Sequence, residues 1–211
     1  VAMVAPITRL RPRSAHYYRF RTRWLVPGNT AEVADVLFDP ADLVRWWPSV
    51  YLAVRRITPG APSGVGARYD LHTTGWLPYQ LRWRMHVTRR EARRTLFTAT
   101  GDLAGRGEIR LRQRGPDVEV NFDWRVRANK PLLRHVSPVL KPIFAANHRW
   151  AMARGERSLL LELERRRARN ADELARVPAP PRRTPIGIMP FAVSAGAIAG
   201  LLLTLWAFRR R

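Results

Sequence analysis

Between His16 and Val26 the chain alternates, with Tyr18, Phe20, Thr22, Trp24 and Val26 on one face and Tyr17, Arg19, Arg21 and Arg23 on the other. A period of two with one apolar face predicts a half-buried strand. Pro27 and Gly28 then turn the chain into NTAEVADVLFD, where Asn29 and Glu32 have capping-box spacing and Val33, Val36 and Leu37 share a helical face. Asp39 before Pro40 signals a second helix start, over ADLVRWW, which ends ahead of Pro48. From Tyr51 onward the period is again two. Strands are predicted over 51–57, 67–73, 80–89, 95–101, 107–113 and 118–128, broken by Gly, Pro or charged turns, as in an antiparallel meander. Tyr69, Leu71 and Thr73 alternate with Arg68, Asp70 and His72, and Leu81, Trp83, Met85 and Val87 with Arg82, Arg84 and His86. Val120, Phe122, Trp124 and Val126 do the same in the last strand, and the same parity turns Thr98, Thr100 and Gln113 inward.

A sheet with one apolar face needs a cover, and residues 130–168 supply it. Apolar residues recur there at three- and four-residue intervals, through Phe144 and Trp150 to Leu163, which predicts a long helix. Pro138 and Pro142 set its regular part to begin near Ile143. Residues 1–15 form an irregular arm, and residues 169–185 a Pro- and Arg-rich spacer.

The run Ile186 to Phe208 contains no charged residue and, as a helix, reaches roughly 34 Å, enough to cross a bilayer core. It is expected to be a single C-terminal transmembrane span, a tail anchor with the basic tail 209–211 behind it. The heavier arginine content on its N-terminal side, Arg182 and Arg183 included, favours a cytoplasmic domain. Gly196 and Gly200 form a GxxxG through which two such helices can pack as a homodimer.

Charge adds a second feature. The formal net charge is +22, nearly all of it arginine, since Lys130 and Lys141 are the only lysines. Arg82, Arg84, Arg110, Arg112 and Arg114 lie on outward faces with few acidic residues near them in sequence, and with Arg182 and Arg183 they suit an anionic lipid surface. Nucleic acid is disfavoured, because the aromatics alternate away from the arginines instead of standing beside them. The absence of cysteine excludes disulfides and thiolate metal sites. The five histidines have no metal-ligand spacing, and no P-loop, dinucleotide fingerprint or Ser-His-Asp order appears, so neither metal nor cofactor is expected. The apolar stretch Val1 to Ile7 is followed, not preceded, by arginines, the wrong order for a secretory signal.

The order of elements, with DPADLVRWWPSV (39–50), GVGARY (64–69) and NHRWAMARGERSL (147–159), resembles the helix-grip fold of the SRPBCC superfamily, the START, Bet v 1 and polyketide cyclase/dehydrase group, over residues 16–168. The resemblance implies an α+β domain in which a curved antiparallel sheet wraps the long helix around an apolar cavity. The ligand-facing candidates are then Trp46, Trp47, Tyr69, Leu71, Trp83, Met85, Thr98, Phe122, Trp124, Phe144 and Trp150. His148 and Tyr69 are the candidates for acid–base chemistry. Three functions follow in order of weight. The first is membrane-tethered binding or transfer of a lipid or other hydrophobic small molecule. The second is a cyclase/dehydrase-like enzyme on such a substrate, and the third a basic membrane-surface scaffold with a filled core.

Overall fold

The computed structural model describes residues 17–77, 79–129 and 137–182, with 137–141 described by their backbone alone. The N-terminal arm, Arg183, the apolar run with Gly196 and Gly200, and the basic tail lie outside the described residues. Among the described residues no helix is long and apolar enough to cross a membrane.

Seven strands form one antiparallel sheet: β1 (Tyr17–Pro27), β2 (Tyr51–Thr58), β3 (Arg68–Thr74), β4 (Gln80–Glu91), β5 (Arg94–Gly101), β6 (Leu103–Arg114) and β7 (Asp117–Ala128). Their order is β1-β7-β6-β5-β4-β3-β2, so the meander runs strand to strand and its last member returns to pair with the first. That closing pair sets Arg21 opposite Asp123 and Thr22 opposite Phe122. Alternation in β1 is as the pattern predicts, with Trp24 and Val26 buried and Arg19, Arg21 and Arg23 exposed. The pairing brings opposite charges together across the strands: Arg19 to Asp123 at 2.5 Å, Arg21 to Asp123 at 4.0 Å and Arg23 to Glu119 at 3.7 Å.

Between β1 and β2 lie α1 (Thr30–Leu37), a 3₁₀ turn (Pro40–Asp42) and α2 (Leu43–Trp46). Asn29 caps α1 through Oδ1, which accepts from the amides of Ala31 and Glu32, while Glu32 accepts from the Asn29 amide in return. Asp39 accepts from the amide of Ala41 and so starts the next turn.

The long helix, α3, spans Ser137–Arg167 and begins well before Ile143. Pro138 falls in its first turn, where an amide would have no helical partner, and Pro142 forgoes a single hydrogen bond inside it. α3 packs on β1 and also on α1 and α2, so its C-terminal half is enclosed from more than one side. Leu159, Leu161, Glu162 and Leu163 are consequently all buried. A short helix, α4 (Ala171–Arg176), occupies part of the stretch that the sequence reads as spacer, capped by Asn170 accepting from the Glu173 amide.

β6 starts at Leu103, four residues ahead of the predicted strand. Its opening, LAGRG, has no bulky alternation to reveal it. Gly107 faces inward, and an added Cβ would stand 2.3 Å from Phe97 and 2.5 Å from Trp124. The missing side chain is what lets those two rings lie 5.1 Å apart over the strand. The core forms two clusters. The larger is centred on Trp24, Trp46, Trp47 and Leu159. The smaller, Tyr18, Val126, Ala128 and Phe144, sits toward the N-terminal end of α3.

Candidate functional site: an apolar cavity between sheet and helix

A cavity of about 240 Å³ opens between the inner sheet face, α2 and α3. The sheet contributes Trp83, Met85, Phe122 and Trp124, the α2 segment Trp46 and Trp47, and α3 Phe144, His148 and Met152. Edge-to-face and tilted stacking fixes the aromatic wall: Trp83 to Trp124 at 5.4 Å, Trp46 to Trp47 at 5.4 Å, Trp24 to Trp47 at 5.8 Å. Gly155 admits Trp47 against α3, since a Cβ there would come within 2.2 Å of the indole.

Of the residues singled out in the sequence, Trp46, Trp47, Trp83, Met85, Phe122, Trp124, Phe144 and His148 therefore meet at one cavity. Tyr69 and Leu71 are buried in the core but do not line it, and Tyr69 instead packs under the guanidinium of Arg56, 5.7 Å from its ring centroid. Trp150 is half-buried, away from the cavity, with Arg154 5.7 Å above its ring. Thr98 is exposed, as are Thr100 and Gln113; in β5 the buried residues are Thr95, Phe97 and Ala99. Threonines occur at both parities of TLFTAT, so the pattern does not say which face is in.

The polar groups in the wall are few. Thr73 accepts from the indole N–H of Trp83 at 3.2 Å and donates to the carbonyl of Leu81 at 3.4 Å. Burial raises the phenol pKa of Tyr51, and that of Tyr79 to about 12, so both are neutral hydroxyls at physiological pH. His148 stacks on Phe20 with centroids 4.2 Å apart, its Nε2 3.4 Å from Oγ1 of Thr22. Burial pushes its pKa down to about 4, so the imidazole is neutral at pH 7. Next to it, Oδ1 of Asn147 accepts from the amides of Trp76 and Leu77 at 3.0 and 3.3 Å, which holds the β3–β4 loop against α3. No cluster of His, Cys, Asp or Glu suited to a metal occurs among the described residues.

Sequence reasoning missed Tyr18, Phe20, Tyr79 and, above all, Arg90 as lining residues. Strict alternation in β4 places Arg90 outside. The register shift between Val87 and Arg89 flips the parity of the strand end and turns Arg90 toward the interior.

On the outer face three of the supposedly unpaired arginines have partners: Arg84 with Asp70 at 2.7 Å, Arg110 with Glu108, and Arg114 with Glu119 at 3.6 Å. The carboxylates come from neighbouring strands or from two residues along the same strand, which linear sequence spacing does not bring out. Arg82 and Arg112 are exposed and their side chains form no ion pair among the described residues, and Arg182 is exposed at the end of the described chain.

The seven-stranded sheet, the helical insertion after β1 and the long closing helix define a helix-grip fold. Solved structures bear this out. The Zhui aromatase/cyclase of Streptomyces sp. R1128 aligns with a TM-score of 0.58 at 17% identity, over 73% of this chain and 98% of its own. A protein of Thermus thermophilus aligns with a TM-score of 0.57 at 13% identity, over 69% of this chain and 99% of its own. The di-domain ARO/CYC StfQ of the steffimycin biosynthetic pathway aligns at 0.53 and 14% identity, over 72% of this chain and 52% of its own. Identities this low establish the shared fold alone. No protein-family model and no curated protein sequence matches the chain.

Proposed function

We propose that this chain binds a hydrophobic small molecule or lipid in the cavity between sheet and α3, and holds it at a membrane through the apolar run at 186–208. The observation that carries the binding reading is the cavity itself, about 240 Å³ walled mainly by aromatic and aliphatic side chains, with a few hydroxyls, a neutral imidazole and, among its charged lining residues, Arg90. The tether reading is supported by the length and uniform apolarity of 186–208, and the exposed Arg82, Arg112 and Arg182 suit an anionic headgroup layer.

The test is uptake of the neutral fluorophore N-phenyl-1-naphthylamine by the purified full chain, together with extraction and mass-spectrometric identification of any co-purifying molecule. Ala151→Trp, which fills the cavity from α3, abolishes uptake, whereas Thr98→Trp on the outer face leaves it unchanged. Equal uptake by both variants overturns the reading.

A cyclase-like reaction is the second reading, and His148 is the observation that favours it. A neutral imidazole in the cavity wall, with a hydroxyl at Nε2, is equipped to accept or relay a proton from a bound substrate. Two of the structural neighbours are aromatase/cyclases. Loss of turnover on His148→Ala with ligand uptake retained separates this reading from binding alone.

A further inference from the structure

We propose that the ligand carries an anionic oxo head, of which a carboxylate is the simplest, and that this head sits at the α2 end of the cavity against Trp46, Trp47 and Arg90. The inference rests on the ligand-binding reading above and specifies which end of the cavity holds which end of the molecule.

Three N–H donors of residues that line the cavity are buried without an acceptor among the described residues: Nε1 of Trp46, Nε1 of Trp47 and Nε of Arg90. Trp46 and Trp47 are only 1% and 6% exposed, so water does not reach them freely from outside. Buried donors are nearly always satisfied in folded proteins, and unmatched donors on residues that line one cavity point to a group that the cavity is built to receive. These are donors only. The complementary group must offer several lone pairs and no proton, which a carboxylate does with two oxygens.

Arg90 adds charge to the argument. Its guanidinium rests 5.6 Å over the ring of Phe38, and it forms no ion pair among the described residues. Asp39, whose charge acts on Arg90 without pairing with it, and the lining carboxylate Glu108 are both engaged by other groups. Asp39 caps Ala41 and faces Arg56 at 3.9 Å, and Glu108 accepts from Arg94 and Arg110. Burial accordingly holds the pKa of Arg90 below its ordinary value, though it stays protonated at neutral pH. A desolvated cation lacking a counter-ion is stabilised by an anion brought by the ligand, and charge-assisted bonds to a guanidinium are the strong kind. The opposite end of the cavity, with Tyr79, Phe144 and neutral His148, suits the apolar remainder.

The experiment is competition native mass spectrometry on the full chain, with decanoate against methyl decanoate and 2-naphthoate against methyl 2-naphthoate. The acids are retained at least tenfold over their esters, and the pair that binds tells an acyl tail from a fused-ring one. Arg90→Met removes that preference, Arg90→Lys keeps part of it, and Trp46→Phe, which deletes the N–H and keeps a ring, weakens acid binding without affecting the ester. Should Arg90→Met fail to fold, the wild-type acid-to-ester ratio and Trp46→Phe still decide. Equal retention of acid and ester, with N-phenyl-1-naphthylamine still taken up, overturns the anionic head and leaves the cavity reading standing. Failure of every probe, the fluorophore included, overturns both.

Discussion

Nε2 of His148 lies 3.4 Å from Oγ1 of Thr22, across the contact between α3 and β1. The pair joins the helix to the strand that closes the sheet, and the ring is half-buried with Phe20 stacked on it. Its folded pKa of about 4 lies below an unfolded value near 6.5, so the unfolded chain binds more protons between those limits. Stability is therefore full above about pH 6.5 and is lost as pH falls toward 4, by at most about 3 kcal/mol. Denaturant unfolding at pH 4.5 and pH 7 measures this, and His148→Phe flattens the slope. A histidine NMR titration with its midpoint near 6.5 would contradict the assignment.

Glu162 is the other titratable group locked inside α3. Its two oxygens accept from both terminal nitrogens of Arg45, each at 2.8 Å, and Oε1 also accepts from Nε of Arg166 at 2.7 Å. Burial tends to raise its pKa, but these bonds outweigh it and hold the carboxyl below the usual range. Because two arginines share the load, Arg45→Met or Arg166→Met alone costs about 1 kcal/mol, while the double variant strands a buried carboxylate and costs about 3 kcal/mol or more. Additivity of the two singles in a double-mutant cycle would show that the carboxylate is not the shared element.

How far these features are legible in the sequence depends on whether a strand keeps its period. β1 and β7 alternate without interruption, so the facing of their residues follows from that alone, whereas their pairing, which sets the charges opposite one another, follows from the resemblance and not from the period. The capping residues Asn29 and Asp39 are equally plain, because caps are local chemistry. Arg90 is misplaced by the pattern because a register shift after Val87 exchanges the two faces of the β4 end, and Thr98 because threonines stand at both parities of β5, so no residue type there announces the facing. The spacing of apolar residues reveals α3 but not the role of Glu162, since its partner Arg45 lies 117 residues away.

Gly107 tests the cavity wall directly. Gly107→Ala sets a methyl group where Phe97 and Trp124 now meet, at 2.3 and 2.5 Å, and both rings must move. The expected cost is about 1–3 kcal/mol, typical of overpacking, with reduced fluorophore uptake as Trp124 is pushed into the cavity. Unchanged thermal stability and uptake would mean that the wall is looser than the stacking implies.

The tether is argued from a different property of the chain. An uninterrupted apolar run from Ile186 to Phe208 holds a protein in a bilayer by hydrophobic burial, which neither salt nor alkaline carbonate reverses. Arginines at a headgroup surface hold it by screened Coulomb attraction, which falls as ionic strength rises. The two contributions separate experimentally. With the full chain reconstituted in vesicles containing phosphatidylserine, flotation persists in high salt and after a carbonate wash. Removal of residues 183–211 leaves a weaker association that salt abolishes, and Arg82→Ala with Arg112→Ala reduces that remainder further. Salt-labile flotation of the full chain would assign membrane contact to the basic surface alone, and the apolar run would then need another role.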